Sequence, residues 1–170
     1  LLTSITLPES LTEIGESAFA GTVLTSVEIP DGVKKIGDSA FSGCPLTSVE
    51  LPSQLEEIGS GAFQFCDLLT GDLTLPNSVH SIGESAFHDT KLSSIHMGAV
   101  SQIGEGAFMD PNYYGKMEDT LLHIYYGGTK AQFDLALKYD GNTKTYEQLG
   151  FAGKTIYCTD GNISVSPYNS

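Results

Sequence analysis

Residues 24–41 read Leu24-Thr-Ser-Val-Glu-Ile-Pro30 followed by Asp31-Gly-Val-Lys-Lys-Ile-Gly-Asp-Ser-Ala-Phe41, and they decide the fold because the chain repeats them. The first half recurs as Leu2-Thr-Ser-Ile-Thr-Leu-Pro8 and as Leu46-Thr-Ser-Val-Glu-Leu-Pro52. The second half recurs as an Ile-Gly-x-Ser/Gly-Ala-Phe motif that ends at Phe19, Phe41, Phe63, Phe87 and Phe108. Self-similarity at such a period is the signature of a solenoid, and about five copies of roughly 22 residues are visible.

The apolar positions of one copy fit neither a helical period nor a long alternating strand, so they indicate a coil that turns inward repeatedly. They are Leu24, Val27, Ile29, Val33, Ile36, Ala40 and Phe41. Val27 and Ile29 alternate as a short strand that Pro30 ends. Gly37 predicts a flexible corner, and residues 38–41 predict one helical or 3₁₀ turn. One copy buries too little to offset the entropy of ordering it, so the copies must stack.

The composition indicates a folded, acidic chain with one folding unit. It has 170 residues, of which 40% are hydrophobic and 17% charged. The net charge of −13 repels nucleic acid and anionic lipid surfaces, so we expect neither as a partner. No apolar run approaches the ~20 residues that a membrane helix needs, and residues 1–7 lack the basic start of a signal peptide. We therefore expect any export signal, any anchor and part of the array to precede or follow this sequence.

Beyond residue 110 the repeat rhythm stops, which predicts a different kind of structure. We divide the chain into a repeat array over 1–110, a final strand with a small C-terminal α/β cap over 111–158, and a polar tail over 159–170. Residues 121–126 predict the final strand, and Thr129-Lys-Ala-Gln132 has the capping-box spacing that begins a helix. Its apolar face would be Phe133, Ala136 and Leu137. Thr155 to Cys158 predicts a second strand of the cap.

The consensus L-T-S-[IV]-x-[LI]-P-x-x-[LV]-x-x-I-G-x-[SG]-A-F resembles the BspA-like bacterial leucine-rich repeats of surface antigens and secreted adhesion proteins. The resemblance covers residues 1 to about 110, and residues 122–133 are similar to the segment that often closes such arrays. It implies a leucine-rich-repeat solenoid, a right-handed β/α superhelix, with export and a role in attachment to other proteins. Departures lie at Gly98, where other copies have Pro, and near residue 70.

Outward positions of the predicted strands form the candidate binding surface. One column is polar and lies between the inward residues, with His123 as its continuation: Thr6, Glu28, Glu50, Thr74 and His96. A neighbouring column contains Ser4, Ser26, Ser48, Asp72 and Ser94. These columns are regular enough for either a binding surface or an ordinary solvated face. Tyr113 and Tyr114, in a loop that interrupts the rhythm, are further candidates for partner contact.

The remaining reactive side chains have structural explanations. Acids that precede the Ser-Ala-Phe turn would accept backbone N–H bonds, which we prefer to a cation site; the column is Glu16, Asp38, Ser60, Glu84 and Glu105. The histidines at 80, 88, 96 and 123 lack metal-ligand spacing. Cys44 and Cys66 occupy equivalent positions in adjacent coils, so they form either a disulfide or, as we prefer, a buried pair of thiols.

No catalytic motif, metal site or cofactor site emerges, so the sequence favours a protein that is not an enzyme. The first hypothesis is a monomeric binding or adhesion module, secreted or on a bacterial surface, that presents its repeats to an extracellular protein or glycan. The alternative is a structural spacer within a larger surface protein. Binding through the strand face separates the two hypotheses.

Overall fold

Each coil places its Ile-Gly step beside the same step of the next coil, which builds one sheet. The computed structural model describes residues 2–109, 123–137, 146, 151 and 153–166. The sheet contains five parallel two-residue strands in the order β1-β2-β3-β5-β7. They are β1 (Glu13–Ile14), β2 (Lys35–Ile36), β3 (Glu57–Ile58), β5 (Ser81–Ile82) and β7 (Gln102–Ile103). The isoleucines pair in register and are all buried, so they form one side of the core.

A second sheet forms from the later coils and continues into the C-terminal region, in the order β10-β9-β8-β6-β4. Its strands are β4 (Thr70–Thr74), β6 (Lys91–Met97), β8 (His123–Tyr126), β9 (Thr155–Cys158) and β10 (Gly161–Ser164). Pairing is parallel from β4 to β9 and antiparallel between β9 and β10. The prediction of a strand at Val27 and Ile29 is wrong, because residues 22–30 do not form the hydrogen-bond pattern of a strand. Val27 nevertheless faces the core, as the alternation predicted.

The Ser/Gly position of the motif is explained by backbone conformation. Ser17, Ser39, Gly61, Ser85 and Gly106 all have a φ between 54° and 63°. Left-handed backbone strongly favours glycine and tolerates few other residues. The segment closes with single i to i+3 hydrogen bonds, for example from Ala40 N to Gly37 O at 3.2 Å. The expected helical or 3₁₀ turn over 38–41 is therefore a series of hydrogen-bonded turns.

The glycine of each Ile-Gly step is required for a different reason. A Cβ added at Gly37 would lie 2.8 Å from the backbone N of Glu16, in the preceding coil. One added at Gly59 would lie 2.6 Å from the N of Asp38. Gly37 is not among the residues with a left-handed backbone. Close approach of two coils, and not a flexible corner, therefore explains this position.

Phenylalanines of successive coils stack into a ladder along the core. The centroid separations are 5.3 Å for Phe19–Phe41, 5.4 Å for Phe41–Phe63 and 5.3 Å for Phe63–Phe87. Phe108 continues the ladder at 6.0 Å from Phe87. Such offset stacking adds to the burial of these rings, so the ladder couples each coil to the next.

The described part of the C-terminal region packs against this ladder. Helix α1 spans Lys130–Leu137 and buries Phe133, Ala136 and Leu137. The capping box is formed, because Thr129 N donates to Gln132 Oε1 at 2.8 Å and Gln132 N donates to Thr129 Oγ1 at 3.3 Å. Phe151 lies edge-on to Phe108 at 6.2 Å and extends the aromatic core. Strand β10 lies within residues 159–170, for which the sequence predicts a polar tail, and it pairs with β9.

Cys44 and Cys66 are buried free thiols, as preferred over a disulfide. Cys44 Sγ donates to the carbonyl oxygen of Phe19 at 3.0 Å, and Cys66 Sγ donates to that of Phe41 at 3.2 Å. Burial, with a smaller contribution from Cys44, raises the pKa of the Cys66 thiol from 9.0 to about 12. The folded chain therefore favours the neutral thiol.

This pKa shift predicts a loss of stability in alkali. Because the unfolded thiol ionises near pH 9 and the folded thiol only near 12, its contribution is complete below pH 9 and is lost as the pH rises through 12. The urea midpoint of the chain should fall on going from neutral to alkaline pH. At neutral pH the urea midpoint of Cys66→Ala should be lower than that of the wild type, because packing is lost. Its midpoint should fall less steeply as the pH rises. Parallel declines for both chains would contradict this role of Cys66.

Candidate binding surface

Outward residues of the second sheet line up across its strands. The register pairs Thr74 with His96, His96 with Tyr125, and Tyr125 with Tyr157. Their chain neighbours face the core and are fully buried: Ile95, Ile124 and Ile156. Because side chains alternate between the two faces of a strand, the paired residues project to the outside.

The rings of His96, Tyr125 and Tyr157, which we call the aromatic row, stack on one another. The His96 and Tyr125 centroids are 4.2 Å apart with planes 5° from parallel. The Tyr125 and Tyr157 centroids are 4.6 Å apart with planes 11° from parallel. Tyr125 remains 37% exposed. The stack covers both faces of the Tyr125 ring, so the exposed part of this side chain is the ring edge and the hydroxyl group.

A row of polar groups lies beside the aromatic row, two residues earlier on each strand. Asp72 pairs with Ser94, and Ser94 pairs with His123. Ser94 Oγ donates to Asp72 Oδ1 at 2.6 Å. Tyr157 Oη lies 3.3 Å from His123 Nδ1, which links the two rows. These bonds fix the side chains on the sheet, so the surface is organised before any partner binds.

The register corrects one residue of the predicted column. His123 pairs with Ser94 and belongs to the polar row, and Tyr125 takes the position that continues from His96. Sequence reasoning missed Tyr125 and Tyr157 for this reason. Aligning Ile124 with Ile95 would have found Tyr125, because each is the buried residue directly before the row.

Of the other predicted residues, Thr6, Glu28 and Glu50 belong to neither sheet. Thr6 and Glu28 line a separate groove of about 470 Å³ between the first two coils, together with Ile5, Leu7 and Ile29. No backbone hydrogen bond joins residues 3–7 to 25–29, all of which the structure describes. Glu50 is exposed and outside the lining of that groove. Tyr113 and Tyr114 lie outside the described residues.

The acidic column next to the turns has a structural use at Asp38. Its Oδ1 accepts a hydrogen bond from the backbone N of Ser60 at 2.8 Å. The sequence predicts a donor within the turn that Asp38 begins. The observed donor, Ser60 N, belongs to the next coil instead. Within residues 2–109, 123–137 and the short described stretches beyond, no three His, Cys, Asp or Glu side chains could hold a metal ion. In that same part of the chain no helix is long and apolar enough to cross a membrane.

Comparison with known families gives a match over most of the chain. The model of the BspA type leucine rich repeat region matches residues 1–114 with six copies. That is one copy more than the five that the sequence motifs show. A search of curated proteins gave no match.

Two of the solved structures that match this chain are of bacterial proteins. A leucine rich cell surface protein from Faecalibacterium prausnitzii A2-165 is 26% identical over 82% of this chain, with a TM-score of 0.62. A leucine-rich repeat protein from Bacteroides ovatus ATCC 8483 is 24% identical over 74% of this chain, with a TM-score of 0.46. The present chain spans 35% of the first protein and 43% of the second.

Proposed function

The chain belongs to the BspA-type leucine-rich repeat family, and on that premise we propose that it is a non-catalytic module that binds an extracellular protein through the aromatic row. The observation that carries the proposal is the in-register stack of His96, Tyr125 and Tyr157. Aromatic side chains combine large contact area with polar groups, and protein interfaces are enriched in them. A location on the bacterial surface accords with the description of the Faecalibacterium protein.

The stacking favours a protein partner over a glycan. A sugar ring that packs on an aromatic side chain needs an open ring face, and both faces of Tyr125 are covered by its neighbours. Ring edges flanked by Asp72 and His123 suit the mixed apolar and polar contacts of a protein interface. A glycan partner therefore remains as the alternative that the binding experiment below distinguishes.

In the proposed arrangement, residues 1–110 form a right-handed array and residues 111–158 add the final strand and cap. The module is monomeric, because like charges on a chain of −13 oppose self-association. Covering the last coil would prevent edge-to-edge aggregation. The contact between Phe108 and Phe151 supports this role for the C-terminal region.

Binding should depend on the aromatic row. We expect the chain to bind particular proteins on an array of extracellular proteins, and Tyr125→Ala with Tyr157→Ala should weaken that binding about tenfold or more. The control is Leu135→Ser, which changes a side chain 70% exposed on α1. Urea midpoints check that every variant is folded.

Other outcomes decide between the remaining hypotheses. Binding to a glycan array that is lost with the two tyrosines would replace the protein partner with a glycan. Protein binding that survives the double substitution would show that the aromatic row is not the site. No binding on either array would favour the structural spacer.

A further inference from the structure

The turn after four phenylalanines of the ladder contains a position where the backbone is left-handed. It lies two residues after Phe19, Phe41, Phe63 and Phe87, and its occupants are Gly21, Gly43, Phe65 and Asp89. Their φ angles are 65°, 70°, 60° and 61°. Glycine adopts this conformation freely and aspartate tolerates it, whereas a bulky side chain there is an outlier. Phe65 is therefore the exception in the column.

The fold does not require a ring at this position. The first two coils close with glycine, and no neighbouring atom lies within 4 Å of a Cβ added at Gly21. Phe65 itself is 50% exposed, and its ring meets His88 edge-on at 6.0 Å. Phe65 therefore combines an unfavourable backbone conformation with a side chain that is only half buried. Strain of this kind is concentrated at functional sites.

A second exposed apolar side chain lies in the next turn, which the bond from Leu69 N to Cys66 O closes at 3.0 Å. Leu68 is 45% exposed, whereas its neighbours Cys66 and Leu69 are buried in the core. Phe63 and Phe87 are 24 residues apart and earlier phenylalanines 22, so this coil has two extra residues. Buried Cys66 and Leu69 anchor this longer connection, and the backbone bond from Phe65 N to His88 O at 2.9 Å ties it to the next coil, with Phe65 and Leu68 exposed. Large exposed apolar side chains on a rigid backbone are favourable for binding, because little entropy is lost when a partner covers them.

We propose that Phe65 and Leu68, which we call the apolar pair, form a second interaction surface that inserts into an apolar pocket of a protein with basic side chains at the pocket edge. Charge complementarity specifies the basic edge, because exposed Asp67 lies between the two apolar residues on a chain with a net charge of −13. The same charge opposes a second copy of the chain as the partner. This surface shares no residue with the aromatic row.

The first test concerns the left-handed backbone and needs no partner. At an ordinary position Ala stabilises a chain relative to Gly, but at a positive φ the order reverses. We expect the urea midpoint of Phe65→Gly to exceed that of Phe65→Ala by roughly 0.3 to 0.5 M. A higher midpoint for Phe65→Ala would overturn the argument from strain.

The second test concerns binding and uses peptides selected on the wild-type chain from a phage-displayed library of short random sequences. The enriched peptides, made synthetically, are titrated by fluorescence anisotropy. We expect them to combine apolar residues with Lys or Arg, to bind more weakly at high salt, and to lose about tenfold in affinity for Phe65→Gly and for Leu68→Ser. Leu135→Ser, which changes an exposed side chain of α1 that belongs to neither surface, should bind them as the wild type does. Peptides that lack basic residues, or that bind Phe65→Gly unchanged, would overturn the proposal.

Discussion

Phe63→Ala is expected to lower the free energy of unfolding by about 3 to 5 kcal/mol, because it removes a fully buried ring from the middle of the ladder. The ring stacks on Phe41 at 5.4 Å and on Phe87 at 5.3 Å. Removing it leaves a cavity that neighbouring coils cannot fill, since their positions are fixed by backbone hydrogen bonds, such as that from Phe63 N to Ala86 O at 2.8 Å. Urea denaturation followed by circular dichroism measures the loss.

Phe19→Ala provides the matched comparison. Phe19 occupies the equivalent position of the first coil, and among the described residues only Phe41 stacks on it. Its removal should lower the free energy of unfolding by less than half as much as that of Phe63. Only one stacking contact is lost, and solvent can reach the site. Equal losses would mean that stacking contributes little. An unchanged midpoint for Phe63→Ala would mean that the phenylalanine column does not form the core.

The core was predictable because identical residues recur at identical positions. Each coil repeats Ile, Ala and Phe, and burial is the only common environment that suits all three in every coil. The hydrogen bonding was less predictable. The Leu-Thr-Ser segments of the first coils have the composition of strands, but pairing depends on the distance between neighbouring backbones, which side-chain patterns do not report. The short strand β10 was missed because Gly161-Asn-Ile-Ser164 lacks an alternating apolar pattern.

The candidate surface was predicted in part. The alternation around His96 and Thr74 correctly placed both on the outer face. The predicted extension of this column from His96 to His123 was wrong, because strand register in a region without repeats depends on tertiary pairing. A shift of one residue exchanges the two faces of a strand. Phe65 carried a signal that the sequence already contained, since it replaces a glycine of two earlier coils. Its meaning depended on the φ angle, which the structure supplied.

The second large effect concerns Gly59 and Gly15, which occupy the same position of the Ile-Gly step in different coils. A Cβ at Gly59 would lie 2.6 Å from two backbone atoms of the preceding coil, the N of Asp38 and the carbonyl carbon of Gly37. Backbone atoms cannot rotate away, so Gly59→Ala must separate the two coils or bend the chain. We expect a loss of about 3 kcal/mol or more in the free energy of unfolding, at the upper end for overpacking.

Gly15→Ala should have the opposite sign. No atom lies within 4 Å of a Cβ added there, and Gly15 is not among the residues with a positive φ. Alanine restricts the unfolded chain at such a position, so a gain of about 0.4 to 1 kcal/mol is expected. If Gly59→Ala fails to fold, Gly37→Ala provides the graded case, because its closest approach is 2.8 Å. Equal effects at positions 15 and 37 would show that local backbone preference, and not the contact between coils, explains the repeated glycine. Opposite effects would show that the glycine is required by stacking, which is the step that turns a repeated sequence into a solenoid.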